Sequence, residues 1–189
     1  MTLAYVFWHW RRPGVPAAEY EGSQERFHAA LASAPPDGFE GSHRFALSGA
    51  AWAHEGLEAY EDWYLVRDSA ALEVLNAGAV SASRKPPHDA AAAGAAGGAA
   101  GVYALRIGRP LAAARHAHWF GKPDGMSYVD LWALLTPRLK RHGAALWMRF
   151  MVLGPTPEFG LRSAGPIELP PELTGPVVPI RPLQPEIAS

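Results

Sequence analysis

The 189 residues are 49% hydrophobic and 19% charged, which excludes a chain disordered throughout and gives length for one domain, or two very small ones, around a real core. Seventeen Lys and Arg stand against eighteen Asp and Glu, a formal charge of -1 that leaves no basic excess for nucleic acid. There is no Cys, so disulfides, thiolate nucleophiles and Cys-based metal sites are out, and neither a membrane helix nor a signal segment is visible, so the chain reads as soluble and cytoplasmic.

Tyr5 to Arg11 is dense in aromatic and branched residues and ends at Pro13-Gly14, the pattern of a strand entering a turn. Pro16 suits the first turn of a helix with Tyr20, Phe27, Ala30 and Leu31 on one face, which Pro35-Pro36-Asp37-Gly38 ends. His43 to Ser48 and Asp62 to Arg67 read as strands. Asp68-Ser69 offers N-cap residues to a helix running through Ala79. Ala90 to Gly101 (AAAAGAAGGAAG) has little to pack, and each Gly costs a helix about 0.5–1 kcal/mol relative to Ala, so a mobile surface loop is predicted there. Val102 to Ile107 supplies a fourth strand. The order β-α-β-β-α-β is that of a ferredoxin-like unit.

The same order starts again. Trp8-His-Trp-Arg-Arg-Pro-Gly14 aligns with Ala117-His-Trp-Phe-Gly-Lys-Pro-Asp-Gly125, which places Trp10 on Trp119 and His9 on His118. Ser127 to Arg141 carries an amphipathic stripe, with Ser127 and Asp130 as a capping-box-like start and Pro137 predicting a kink or break. Ala145 to Leu153, Phe159 to Ala164 and Val178 to Leu183 complete the strands. The second copy is shorter, with only Pro170-Pro-Glu-Leu173 where the second helix would be. The predicted organisation is therefore a first repeat at 1–111 and a truncated one at 112–189. The last 35 residues hold nine of the eighteen Pro, so they are expected to wrap the body in extended segments, neither long helix nor central sheet.

Two such units, each with an aromatic first strand and a Pro-Gly turn, resemble the dimeric α+β barrel superfamily in a single-chain duplicated form. That superfamily includes antibiotic-biosynthesis-type monooxygenases, EthD-like and muconolactone isomerase-like proteins, and haem-binding chlorite-dismutase and dye-decolorising groups. The resemblance implies two four-stranded antiparallel sheets closing into a barrel, helices outside, and a pocket within or beside it. It also implies that one chain supplies both sheets, so a monomer or a weak homodimer is expected.

Cofactor-independent chemistry on an apolar or aromatic compound needs a dry pocket, a base and donors for a developing oxyanion. His9, His43, His118, Tyr64, Arg44 and Arg149, with Trp10 and Trp119, lie on predicted strands or strand ends and are the candidates. Strand alternation puts His116 and His118 on one face, and the repeat makes His9 the mate of His118, with both expected to face one interior cavity. A haem or divalent metal held by His9, His116 and His118 is the alternative, and a non-catalytic binding or structural protein a third reading. His54 is placed at a pocket mouth or on the surface. No phosphate-loop motif, GxSxG elbow or HExxH pair occurs.

Overall fold

The computed structural model describes residues 1–48, 58–151, 157–173 and 175–183. The first half runs β1 (Leu3–Arg11), α1 (Ala17–Ser33), β2 (Phe39–Leu47), β3 (Ala59–Val66), α2 (Ser69–Ala79), a 3-10 turn, α3 (Lys85–Gly94) and β4 (Ala95–Ile107). The second runs β5 (His116–Phe120), α4 (Tyr128–Arg141), β6 (Ala145–Arg149), β7 (Phe159–Ser163) and β8 (Val177–Pro182). All eight strands pair antiparallel into one closed barrel, in the order β4-β1-β3-β2 followed by β8-β5-β7-β6. Each half therefore shows its strands in the order fourth, first, third, second. The α+β class and the paired antiparallel sheets inferred from sequence are what the chain adopts. No helix among the described residues is long and apolar enough to cross a membrane.

Local signals account for most element ends. Asp68 accepts the Ala71 N–H at 2.9 Å and Ser127 accepts that of Asp130 at 3.1 Å, so both predicted N-caps cap. Pro137 does not break α4, which continues to Arg141.

Two expectations need correction. The Ala/Gly stretch is no mobile loop: it ends α3 and then forms the first half of β4, paired with residues 6–11 of β1. Its glycines are the reason. A Cβ on Gly98 would lie 2.4 Å from the Phe7 ring, and one on Gly97 2.6 Å from the Trp10 indole, so the aromatic side chains of β1 supply the packing that this strand lacks. The Pro-rich tail is likewise not confined to wrapping, because β8 sits between β2 and β5. It pairs with β2 through residues 180–182 and with β5 through residues 177–179, so Pro182 and Pro179 each lie opposite one neighbouring strand.

Three apolar layers result. The lumen is filled by Trp8, Trp63, Trp119, Trp147, Tyr103 and Phe45, packed edge to face at 5.5 Å for Trp8–Trp119 and 5.0 Å for Trp63–Trp147. A second layer lies between the first sheet and α1–α3, and a third between the second sheet and α4. The lumen also holds a buried ion pair. Glu61 accepts the indole N–H groups of Trp8 and Trp63 at 2.6 Å each and the guanidinium of Arg162, which lies 4.9 Å from the Trp63 ring and 4.6 Å from that of Trp119.

Candidate functional site

Because aromatic residues fill the lumen, room for a ligand lies on the outside of the first sheet. A cavity of about 880 Å³ opens there beneath α1, α2 and α3. Tyr5 and Phe7 of β1 and Gly98 and Val102 of β4 form its floor, and Leu72 and Leu75 of α2 with Ala91 of α3 its roof. The wall contributed by α1 and β3 carries two hydroxyls, those of Tyr20 and Tyr64.

Both hydroxyls lead to one buried carboxylate. Alternation along β3 turns Glu61 and Trp63 into the lumen and Asp62 and Tyr64 toward α1. Asp62 Oδ2 accepts from Tyr64 at 3.1 Å and from His28 Nε2 at 3.1 Å. His9 Nε2 lies 3.3 Å from the same oxygen, an ion-pair distance at which its N–H is not aligned for a hydrogen bond. The other nitrogen of His9, Nδ1, is 2.5 Å from the Tyr20 hydroxyl, and that of His28 is 2.7 Å from Ser42 Oγ. Burial works against the charge on Asp62, but His28 and His9 outweigh it and hold the carboxyl well below the usual carboxylate range. Burial first, and then Asp62, push the Tyr20 and Tyr64 hydroxyls up, so both stay protonated. An ionised carboxylate favours the Nε2–H tautomer of His9, leaving Nδ1 to accept from Tyr20.

Of the residues singled out from sequence, His9 and Tyr64 meet here. The others do not. His43 shares the lumen-facing side of β2 with Phe45 and Leu47; its Nε2 has no partner among the described residues, and burial pushes its pKa down to about 4. Arg44 is buried with its guanidinium donating to the carbonyls of Glu21 at 3.1 Å and Leu183 at 3.0 Å, which ties α1 and the C-terminal segment to β2. Arg149 is half-buried at the end of β6, opposite Tyr103 in the second half.

The shared cavity expected of His9 and His118 is not formed. Trp8 and Trp119 meet inside the barrel, so alternation sends His9 and His118 out of opposite sheets. His116 and His118 are half-buried on the outside of β5, and burial lowers the His118 pKa, aided by His116 and Arg162. His9 is thus far from forming a three-imidazole site with them, and among the described residues no three His, Asp or Glu side chains gather to hold a metal ion. Trp10 rests on Gly97 and Trp119 packs in the lumen. His54 lies outside the described residues. Sequence reasoning missed Tyr20, His28 and Asp62. The available signal was His28 one turn beyond Gln24 on the buried face of α1, and an acidic pair, Glu61-Asp62, inside an apolar strand.

No protein-family model matches the chain, and no curated protein does. Solved structures do match. A putative monooxygenase of Fusobacterium nucleatum superposes with a TM-score of 0.60 at 8% identity, covering 86% of this chain and 74% of that one. A like-named protein of Lactobacillus acidophilus gives 0.54 at 8% identity over 97% and 95% of the two chains. An anthrone oxidase-like protein gives 0.53 at 10% identity over 87% and 73%. At such identities the likeness is one of fold: this chain shares the antiparallel α+β barrel fold of these proteins, with both sheets supplied by a single polypeptide.

Proposed function

We propose that the protein is a cofactor-independent enzyme that binds an apolar ring compound beneath α1–α3 and removes a proton from it. The observation that carries this reading is the apolar cavity whose wall contains two tyrosine hydroxyls, both tied to a buried carboxylate flanked by two imidazoles. The largely apolar walls limit the water around a bound ring, and the Asp62 cluster supplies a base. Loss of the O–H proton from the enol tautomer of a ring ketone leaves an enolate with negative charge on the ring carbon. Dioxygen oxidises that carbon to a ketone, one oxygen atom entering the ring position and the other leaving as water; without dioxygen, reprotonation at another carbon isomerises the ring. A single chain makes the whole barrel and the cavity, so the active form under this reading is a monomer.

The name of one structural neighbour suggests the probe. Anthrone is a flat apolar ketone whose enol tautomer presents an O–H, and its oxidation consumes one dioxygen and yields anthraquinone and one water. Purified protein in air should form anthraquinone faster than buffer and take up an equal amount of dioxygen. Binding of neither anthrone nor any other neutral ring compound would count decisively against the reading.

A further inference from the structure

This inference rests on the reading above and gives its proton a path and its substrate a polarity. We propose that the substrate proton leaves through the Tyr20 hydroxyl to His9 Nδ1, and that the cavity selects neutral ring compounds that present a hydrogen-bond donor, a phenolic or enolic O–H.

The geometry of His9 is the starting point. Its ring is held between Phe7 and Tyr60, stacked at 5.1 Å and 5.7 Å with interplanar angles of 18° and 16°. It cannot turn, so Nδ1 is fixed on Tyr20 and Nε2 on Asp62. The ionisable groups that face it are Tyr20 and His28 from α1 and Tyr60 and Asp62 from β3; β4 offers only Gly98 opposite His9 in register. The nearest of these to Nε2 is the carboxylate, which stabilises an imidazolium once it forms.

The hydroxyl protons follow from these partners. Tyr20 donates to His9 and Tyr64 donates to Asp62, so each turns only lone pairs toward other partners. Tyr5, Gln24, Ser69, Glu73, Asn76 and His88 also line the cavity, but against these two hydroxyls a donor is recognised, whereas a carboxylate set there would face their lone pairs and lose its water. The two tyrosines then differ. At Tyr20 the substrate O–H bond breaks as a new Tyr20 O–H forms, and the original Tyr20 proton passes to Nδ1. The products are a phenolate, hydrogen-bonded by the renewed Tyr20 hydroxyl, and an imidazolium beside Asp62. At Tyr64 the same transfer would protonate Asp62, the carboxylate to which His28 donates, so Tyr64 binds without accepting the proton. Tyr20 is therefore the catalytic residue and His9 the positioning residue that takes the proton through it.

The test reads ionisation directly with 4-nitrophenol, whose anion is yellow, so it does not depend on turnover. Bound to the wild-type protein the probe should be ionised at a pH where the free phenol is neutral, its equilibrium shifted tenfold or more toward the anion. Tyr20→Phe should abolish the shift, and His9→Gln, which keeps a donor toward Asp62, should do the same without touching the probe. Tyr64→Phe should weaken binding and keep the yellow bound form. A probe bound in neutral form, or a shift that survives Tyr20→Phe in a folded variant, overturns the relay while the cavity reading stands. A phenol and its carboxylate analogue bound equally well overturns the donor selectivity.

Discussion

Glu61→Gln tests the energetics of the lumen. Glu61 is wholly buried and Arg162 nearly so, and they bridge strands on opposite sides of the barrel. The amide removes the countercharge of a guanidinium that cannot lose its proton, which by comparison with broken buried pairs costs about 3–5 kcal/mol. It also replaces one carboxylate oxygen by an NH₂ group, so one of the two indole N–H donors of Trp8 and Trp63 loses its acceptor, adding about 1–3 kcal/mol. The sum, about 4–8 kcal/mol, is of the order of a whole domain's stability and should lower Tm by at least about 8 °C or leave the chain unfolded. Arg162→Met should behave differently. Its buried Glu61 can take up a proton, so that variant should recover stability relative to wild type as pH falls, whereas Glu61→Gln should not. Urea unfolding followed by tryptophan fluorescence at two pH values reads both. A cost below about 1 kcal/mol for Glu61→Gln would show that water reaches the pair and that the lumen is not a dry core.

Three further outcomes follow from single residues. His43 takes up its proton at about pH 4 when folded against 6.5 ordinarily, so the unfolded chain binds more protons between those values and stability falls as pH drops through that window. His43→Leu should flatten that slope, removing up to about 3 kcal/mol of acid sensitivity by urea unfolding at pH 4 and 7. Gly98→Ala should cost about 1–3 kcal/mol, because its Cβ would fall 2.4 Å from the Phe7 ring and 2.8 Å from the Trp8 carbonyl oxygen, and ring compounds should bind more weakly; an unchanged melt would mean that Phe7 moves freely aside. Asp68→Ala should lower stability by about 1 kcal/mol through the lost cap, with Asp68→Asn restoring most of it.

What was legible in the sequence was whatever a period or a cap could carry. The strands around Trp8, Trp63 and Val102 alternate or run apolar, α1 and α4 hold their apolar residues at helical spacing, and Asp68 and Ser127 mark helix starts that hydrogen bonds bear out. Ala95 to Gly101 has no such pattern. Its strand is stabilised from outside, by β1 and the aromatics laid across it, so local sequence pointed to a loop. The candidate site was half legible. His9 and Tyr64 were in view because of their residue types, but whether a strand face turns to the lumen or to the helices depends on which aromatic fills the barrel. Trp8 and Trp119 do so, and His9 and His118 point apart. Tyr20 and His28 read as ordinary helix residues, since nothing in α1 shows that Asp62 lies opposite.

The two halves repeat one strand order but differ in the space left on their outer faces. In the second, Leu131, Leu135 and Leu139 of α4 pack with Phe120, Leu146, Phe159 and Leu161, and a groove of about 480 Å³ lies at the edge, beside Tyr128 and Trp132. In the first, the outer face of β4 offers Ala96 and Gly98 where a strand would ordinarily offer branched or aromatic residues. Over that strip the roof of α2 and α3 therefore meets no large side chain from β4 itself, and the Phe7 ring lies across Gly98 instead. The Ala/Gly segment that looks empty in the sequence is what keeps the cavity open, and its paired backbone is what keeps the floor flat. Ala96→Leu, which leaves Gly98 beneath the Phe7 ring untouched, should narrow the cavity and weaken the binding of ring compounds in a ligand titration.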